Sequence, residues 1–204
     1  MNEHVKDVMK DAEGKAFPML ADGQLSYILN NLAGVMDIPG DVVELGANVG
    51  MTSSFLQRLL NRVKSEKVMC VYDSFEGLPS KTTEDGATPC DKGASAVSRE
   101  MFVQTFKDAG LELPIINKGF FGDIPDDKYP DKICFAFLDG DFYSSIIDSF
   151  NKVYHKMQSG GIILIHDYKW DNFPGVVKAC EDFLKHKPEK MTQDMFGIGK
   201  LVKQ

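Results

Sequence analysis

The sequence has few cysteines, and their spacing does not suit a metal site. None of the four belongs to a CxxC pair. Two of them lie inside apolar runs typical of strands, where a thiol packs as a small hydrophobic group. We therefore expect reduced, structural cysteines and neither a zinc site nor a disulfide framework. They are Cys70, Cys90, Cys134 and Cys180.

The chain also lacks a long apolar run and an excess of basic residues. No apolar stretch approaches the roughly 18 residues of a membrane-spanning helix, and the polar start MNEHVKDVMKDAEGK is unlike a secretory signal. Lys and Arg number 23 against 30 Asp and Glu, a net charge of −7. Because phosphate binding draws on clustered basic residues, this balance weighs against a nucleic-acid partner. We expect a cytoplasmic protein that binds neither nucleic acid nor membrane.

The remaining composition is that of an ordinary globular domain, with 43% hydrophobic and 26% charged residues. We expect a chain of this length to form one domain over 1–204 and to fold without a disulfide or a metal. The one helical pattern before the first strand, 25–36, predicts an N-terminal helical cap over 1–40. Residues 80–98 are rich in Gly, Ser, Thr and Asp. Unstructured segments of this length are often active-site lids, so we predict a lid loop, with a surface excursion as the alternative.

From residue 42 onward, short apolar runs alternate with amphipathic ones. Continuous apolar runs fit strands that are covered on both faces, as in parallel sheets. The alternation predicts an α/β fold with a doubly wound, mostly parallel sheet and a closing C-terminal hairpin over 191–202. The predicted strands are 42–45, 68–72, 115–116, 133–138 and 161–165, and the predicted helices after the first strand are 51–63, 98–109, 143–157 and 176–186.

Glycine and polar residues follow each predicted strand. In an open α/β sheet, ligands bind outside the carboxyl ends of the strands. We therefore predict one shared ligand site at these ends. Its candidates are Glu44, Gly46, Asn48 and Gly50 after the first strand, Asp73, Ser74 and Phe75 after the second, Gly119 and Phe120 after the third, Asp139 and Asp141 after the fourth, and His166 and Asp167 after the fifth.

The first of these turns, E-L-G-A-N-V-G, differs from the GxGxxG pattern of nicotinamide dinucleotide folds. Its glycines let the backbone approach a ligand, and Asp73, one strand–helix–strand unit later, can hold a ribose diol. Together they favour an adenosyl ligand without a diphosphate, although glycine here also serves tight packing. Thr52 is both a further candidate for the cofactor site and a candidate N-cap of the following helix.

The carboxylates form a second constellation. In the D-G-D segment, alternate residues point the same way, so Asp139 and Asp141 can project into one cleft that Asp167 faces. Clustered carboxylates without cysteines suit a hard cation such as Mg²⁺ or Mn²⁺. Alternatively, Asp141 caps the following helix. His166 is a candidate ligand, general base or packed strand-end residue, and the loop that carries Trp170 is a candidate stacking surface for a ring substrate.

Five blocks of the sequence together resemble the macrocin and mycinamicin sugar O-methyltransferases, a family that includes the noviose methyltransferase of novobiocin. The resemblance runs in order from about residue 41 to 173, and the blocks D-S-F-E-G-L-P and D-G-D-x-Y are its most specific parts. The five blocks are VVELGANVG (42–50), YDSFEGLP (72–79), KGFFGDIP (118–125), LDGDFY (138–143) and GGIILIHDY (160–168).

This resemblance implies a class I, Rossmann-like methyltransferase that uses S-adenosylmethionine and a divalent metal, usually Mg²⁺, to methylate a deoxysugar hydroxyl. In the antibiotic enzymes the position of His166 is usually Asp. Because imidazole is a poorer Mg²⁺ ligand, we expect a weaker site, a preference for Mn²⁺, or a His166 that is free to act as a base. By position, the resemblance assigns the methionine part to Glu44, Gly46 and Asn48, the ribose to Asp73 and Ser74, the adenine to Phe120, the metal to Asp139, His166 and Asp167, and the general base to Asp141.

The sequence does not identify the molecule that accepts the methyl group. The resemblance suggests a sugar such as rhamnose, as a small molecule or within a glycan, and a homodimeric enzyme. The chain is shorter than such relatives are expected to be, and its reduced N-terminal cap bears on the acceptor. Three alternatives remain: a catechol-type O-methyltransferase acting on an aromatic diol, a nicotinamide-dependent oxidoreductase, and a non-catalytic module that binds an adenosyl ligand.

Overall fold

The computed structural model describes residues 2–13, 19–193 and 196–204. The helices are α1 (Glu3–Lys10), α2 (Gln24–Ala33), α3 (Met51–Arg62), α4 (Arg99–Asp108), α5 (Tyr143–Val153) and α6 (Pro174–Leu184). The strands are β1 (Asp41–Leu45), β2 (Met69–Asp73), β3 (Ile115–Lys118), β4 (Ile133–Leu138), β5 (Met157–Ile165), β6 (Thr192–Gln193) and β7 (Gly199–Val202). Short 3₁₀ turns lie at Thr83–Asp85, Phe121–Asp123, Asp126–Lys128 and Tyr154–Lys156.

The strands form one sheet in the order β3-β2-β1-β4-β5-β7-β6. Strands β1 to β5 pair in parallel, whereas β7 runs antiparallel to both β5 and β6. The predicted α/β class, the mostly parallel sheet and the antiparallel C-terminal hairpin are therefore confirmed; residues 194–195 of the hairpin lie outside the described residues. From β1 the chain adds β2 and β3 on one side and then crosses over to add β4 and β5 on the other side. Open α/β sheets bind ligands at such a switch point, here between β1 and β4.

Both faces of the sheet are covered by helices, as continuous apolar strands require. Helices α1 to α4 pack on one face through side chains such as Ile28, Phe55 and Phe102. Helices α5 and α6 pack on the other through Ile146 and Val176 among others. All six residues of β4 are buried. No helix within the described ranges is both long enough and apolar enough to cross a membrane.

The N-terminal cap contains two helices, so the prediction of a single one was incomplete. Helix α1 has Asn2 as its N-cap, whose side chain accepts a hydrogen bond from the backbone of His4 at 2.9 Å. Its apolar face consists of Val5 and Val8, both buried. Together with Met9, these two valines span little more than one turn, which is too short a pattern to identify a helix from the sequence.

Two other local predictions need correction. Helix α5 ends at Val153, four residues before the predicted boundary at Met157, because a 3₁₀ turn follows and Met157 begins β5 with its side chain buried. Thr52 is not an N-cap: α3 starts after Gly50, which has a φ of 81°, and no side chain caps that helix. The left-handed backbone at Gly50 sets the start of α3.

The segment 80–98 is tied down at both ends. Leu78 and residues 93–94 exchange two backbone hydrogen bonds of 2.9 Å. Asp85 is buried, and one of its carboxylate oxygens accepts a hydrogen bond from the backbone of Tyr143 at 2.6 Å, while the other accepts two from Thr82. The alternative in which Asp141 caps α5 is therefore wrong. The N-cap residue is Phe142, and the capping oxygen comes from Asp85.

Candidate active site

A cavity of about 610 Å³ lies at the carboxyl ends of the parallel strands. It brings together most of the residues that the sequence singled out. Four other candidates, Glu44, Gly50, Thr52 and Phe75, do not line it. The predicted residues on its wall are Gly46, Asn48, Asp73, Ser74, Gly119, Phe120, Asp139, Asp141, His166 and Asp167.

Gly46 allows the ends of β1 and β4 to meet beneath this cavity. The backbone of Asp139 donates a hydrogen bond to the carbonyl of Leu45 at 2.8 Å. With a φ of +97°, Gly46 faces the carbonyl oxygen of Asp139 so closely that a Cβ would lie 1.9 Å from it. No other residue fits here, so the glycine of this turn is required by the close approach of the two strands.

Asp73 fixes the turn after β1. Its two carboxylate oxygens accept hydrogen bonds from the backbones of Asn48 at 2.8 Å and Phe75 at 2.7 Å. Burial raises the pKa of Asp73, although these backbone donors oppose the rise. The carboxylate therefore joins the β1 and β2 turns and still borders the cavity, where its remaining lone pairs can accept from a ligand.

The candidates that do not line the cavity lie below or beside it. Glu44 is buried and accepts a hydrogen bond from the hydroxyl of Ser53. Burial, with smaller contributions from the charges of nearby aspartates, raises the pKa of Glu44 to about 8. Phe75 packs edge-on against Phe102, with ring centroids 6.1 Å apart. Gly50 and Thr52 begin α3.

Three groups predicted to bind a metal meet at one point. The Nδ1 atom of His166 lies 3.0 Å from a carboxylate oxygen of Asp139 and 3.2 Å from one of Asp167. One ligand atom from each of the three residues lies within 4.8 Å of the others. The backbone of His166 donates to the carbonyl of Leu138 at 2.9 Å, which places the two strand ends side by side.

The neighbouring carboxylates determine the direction in which the pKa of His166 shifts. Burial by itself lowers its pKa, but the carboxylates of Asp139 and Asp167 outweigh that cost and raise the pKa to about 11. On the other side of the ring, Nε2 lies 3.2 Å from the side-chain oxygen of Gln24, 142 positions away in the sequence. The ring is thus held between acceptors on both sides.

Asp141 lies beside this group. Burial raises its pKa well above the ordinary value, and the charges of Asp139 and Asp167 raise it further. The backbones of Asp141, Asp167 and Lys169 have φ values of 59°, 53° and 62°. Left-handed backbone is uncommon at residues other than glycine, and these three residues follow the ends of β4 and β5 on the cavity wall.

Comparison with known proteins agrees with this geometry. The family model of the macrocin-O-methyltransferases (TylF) matches residues 1–202. The chain belongs to this family. The resemblance read from the sequence is thereby confirmed, and membership of an O-methyltransferase family removes the support for the nicotinamide-dependent alternative.

Two relatives are named as O-methyltransferases of natural products. A tetracenomycin rhamnosyl 4'-O-methyltransferase from Streptomyces olivaceus is 29% identical over 71% of this chain and 56% of its own length. Demethyldecarbamoylnovobiocin O-methyltransferase from Streptomyces niveus is 28% identical over 81% of this chain and 68% of its own length. The chain therefore spans little more than half of the first relative.

The solved structure of the O-methyltransferase NovP supports the fold. It is 22% identical, with a TM-score of 0.76 over 89% of this chain and 79% of its own. At this identity, the likeness concerns the arrangement of the helices and strands.

Sequence motifs did not identify most of the residues on the cavity wall opposite Asp73 in this member of the macrocin-O-methyltransferase family. It includes Met19, Gln24 and Phe196 beside the expected Trp170. Met19 is 58% exposed and Trp170 49% exposed, and both are large apolar side chains. Only Trp170, as an isolated aromatic residue after a strand end, carried a signal in the sequence. The others come from segments at the two ends of the chain, with no motif around them.

Proposed function

We propose that this protein is an S-adenosylmethionine-dependent O-methyltransferase that acts on a sugar hydroxyl with the assistance of a divalent cation, in the cytoplasm. One observation carries the proposal. In a member of the macrocin-O-methyltransferase family, the carboxylate–histidine cluster and the glycine turn after β1 border the same cavity.

The half of the cavity next to β1 and β2 suits the cofactor. The carboxylate of Asp73 can accept hydrogen bonds from the ribose diol, and the rings and hydroxyl around it, Phe120 and Ser74 among them, can border the adenosine. When bound, S-adenosylmethionine supplies an electrophilic methyl group. Glu44 lies beneath the glycine turn rather than on the cavity wall, so the predicted contact with the methionine part requires it to act through that turn or to move.

The donor set of Asp139, His166 and Asp167 fits a divalent cation. Two carboxylate oxygens and an imidazole nitrogen converge, and the other ring nitrogen lies 3.2 Å from a side-chain carbonyl oxygen. Histidines that bind metals usually donate their second N–H to such an oxygen. Imidazole suits Mn²⁺ better than Mg²⁺. A cation held there would lower the pKa of an acceptor hydroxyl.

Asp141 is the proposed general base. A base works best when its pKa lies near the working pH, and both burial and the neighbouring carboxylates raise the pKa of Asp141. His166 is the alternative base, in the case where it does not bind metal. Without a cation, the contacts of Nδ1 with Asp139 and Asp167 favour a proton on that nitrogen, and a bound cation would take its place. In either state Nδ1 has no lone pair with which to accept a proton from the substrate, which favours Asp141.

The wall formed by Met19, Trp170 and Phe196 is the proposed acceptor side. An exposed indole offers a flat apolar surface against which the C–H face of a sugar ring can lie. A catechol would also stack there, so the wall does not separate the two acceptors. The sugar assignment depends on the family and on what its relatives act upon.

An acceptor screen tests the function. The protein is incubated with S-adenosylmethionine and Mg²⁺ or Mn²⁺, together with rhamnosides, nucleotide-linked deoxysugars or catechols, and methylated products are detected by mass spectrometry. We expect a mass gain of one methylene group on a deoxysugar acceptor, suppressed by EDTA. Turnover of catechols alone would replace the sugar with an aromatic diol. Binding of S-adenosylhomocysteine without turnover of any acceptor would favour a non-catalytic adenosyl-binding module.

A further inference from the structure

Gln24 connects three separate parts of the protein at the active site. Its side-chain amide donates a hydrogen bond to the carbonyl of Phe196 at 2.9 Å. Its side-chain oxygen accepts a hydrogen bond from the backbone of Ala21 at 2.7 Å and lies 3.2 Å from Nε2 of His166. Gln24 is 6% exposed at the start of α2. A buried amide with partners on both its nitrogen and its oxygen is held in one position.

The partners also fix which way the amide points. The carbonyl of Phe196 can only accept and the backbone N–H of Ala21 can only donate, so the oxygen of Gln24 must face His166. An oxygen in that place can only accept, and Nε2 of His166 therefore carries a hydrogen. This conclusion follows from the heavy-atom contacts alone.

With Nε2 committed to Gln24, the other ring nitrogen faces the two carboxylates. A ring flipped by half a turn would direct a C–H towards Gln24 and leave a buried acceptor partly unsatisfied, which is costly. Phe137 packs edge-on against the same ring at 6.1 Å between centroids and limits its tilt. Gln24 and Phe137 together leave His166 one favourable orientation.

We propose that Gln24 is a positioning residue that holds Nδ1 of His166 towards Asp139 and Asp167. Its kinetic consequence rests on the function proposed above. The orientation of the ring is a property of the protein alone and does not depend on that function.

The same amide ties the reacting centre to the acceptor side of the cavity. Ala21 belongs to the segment that carries Met19 and Leu20, and Phe196 belongs to the loop between β6 and β7; these residues line the cavity. The ring of Phe196 also packs against Tyr27 at 5.9 Å between centroids. Gln24 therefore holds both acceptor-side segments in register with His166, although they lie at opposite ends of the chain.

Ring NMR of the metal-free protein labelled with [¹⁵N]histidine tests the orientation directly. The chain has four histidines, of which His4, His155 and His186 are exposed, so the protected ring belongs to His166. We expect a slowly exchanging Nε2 proton on His166 in the wild type. In Gln24→Met, which keeps the length but removes both polar groups, that proton should exchange at least about tenfold faster, because its acceptor is lost.

Gln24→Glu separates the His166 contact from the Phe196 contact. The carboxylate still accepts from Ala21 and from His166 but can no longer donate to Phe196. We expect the His166 ring signal to persist in Gln24→Glu. If Gln24→Glu loses the signal as Gln24→Met does, the contact with Phe196 is what matters and the proposal is overturned.

Asn31→Leu is the matched control. Asn31 is another buried amide of α2, but its side chain donates a hydrogen bond within the helix, to the carbonyl of Tyr27 at 2.9 Å. We expect this variant to lose stability and to keep the His166 ring signal. If Asn31→Leu and Gln24→Met change the ring alike, Gln24 has only a structural role and the proposal is overturned.

Two functional readouts follow. In Gln24→Met we expect Mn²⁺ affinity, measured by electron paramagnetic resonance, and kcat each to fall by about 10–100-fold, the usual effect of losing an outer-shell partner. The KM for S-adenosylmethionine should stay unchanged. Unchanged ring spectra, metal affinity and kcat would overturn the proposal. A wild type that methylates no acceptor would contradict the proposed function but leave the ring measurement interpretable.

Discussion

The two halves of the cavity are built in different ways. On the β1–β2 side, Asp73 is held by the backbones of Asn48 and Phe75, and the side chain of Ser74 is held by its neighbours Gly77 and Glu76. On the opposite side, Gln24 contacts groups 142 and 172 positions away. One half is therefore fixed by contacts within and between the turns after β1 and β2, at most 25 positions apart, and the other by contacts between the ends of the chain.

This difference predicts different responses to mutation. A side chain fixed by adjacent backbone keeps its place as long as the turn folds. A side chain fixed by distant segments depends on the packing of every segment it joins. The first arrangement suits a ligand that is bound in one fixed position, whereas the second allows the proposed acceptor wall to change without disturbing the proposed cofactor half.

The largest expected effect is at Asp139, on the border between the two halves. Replacing Asp139 with Ala removes a carboxylate from the cluster with His166 and Asp167. Turnover should fall by about a thousandfold or more, since cation and electrostatic assistance contributes several kcal/mol. Affinity for S-adenosylhomocysteine should change little. Methyl-transfer assays measure turnover, and calorimetry measures the affinity for S-adenosylhomocysteine. The control is Asp123→Ala, which removes an exposed carboxylate. Near-normal turnover in Asp139→Ala would contradict the assignment of this cluster.

The pH dependence of stability tests whether Glu44, buried beneath the glycine turn, is protonated in the folded protein. Its pKa is raised from 4.5 to about 8 in the folded protein, mainly by burial. Between these pH values the folded state retains a proton that the unfolded state releases, so stability falls as the pH rises through this window and levels off above it. Glu44→Gln should remove this contribution, on the order of a few kcal/mol.

Urea unfolding of wild type and Glu44→Gln at about pH 5 and about pH 8 measures the effect. The wild type should lose more stability than the variant between the two values. Equal losses in both proteins would mean that Glu44 is ionised in the folded state at neutral pH.

Asp85 tests the link between the segment 80–98 and α5. Asp85→Ala removes the oxygen that accepts from the backbone of Tyr143. Because a lost N-terminal cap costs about 0.5–2 kcal/mol, we expect a stability decrease of that size and faster amide exchange over residues 82–88. Glu84→Ala is the matched control, since its side chain bonds to nearby threonines, whereas that of Asp85 bonds to the backbone of Tyr143. Equal effects of the two variants would contradict the capping role.

Trp170 gives the smallest expected effect and belongs to the acceptor half alone. Trp170→Ala should raise the KM for the sugar acceptor by about 2–10-fold, since an aromatic contact contributes about 0.5–1.5 kcal/mol. Leu113→Ala removes an apolar side chain of similar exposure, 46%, away from the cavity and serves as control. An unchanged acceptor KM in Trp170→Ala would show that the sugar does not contact this wall.

The cavity wall at the strand ends could be predicted from the sequence because each of its parts directly follows a strand. The glycine turn after β1, Asp73 at the end of β2, and the acids after β4 and β5 all follow apolar runs that identify strands. Parallel pairing then brings the strand ends together without further information. The same reasoning located His166 and Asp167 beside Asp139.

The features that could not be predicted depend on tertiary contacts, which leave no periodic pattern in the sequence. Helix α1 is too short for its two buried valines to reveal it. Asp85 caps a helix 58 positions away, so the nearer Asp141 was the natural but mistaken choice. Gln24 looks like any polar residue at a helix start until α2 is packed against the strand ends.

The most direct test of the two-half account is calorimetric titration of S-adenosylhomocysteine into wild type, Asp73→Asn and Trp170→Ala. We expect micromolar binding to wild type and to Trp170→Ala. Asp73→Asn should bind about tenfold more weakly or worse, because hydrogen bonds to a charged group contribute about 1.5–3 kcal/mol. Absence of binding to wild type, or a loss that follows Trp170 rather than Asp73, would contradict the account.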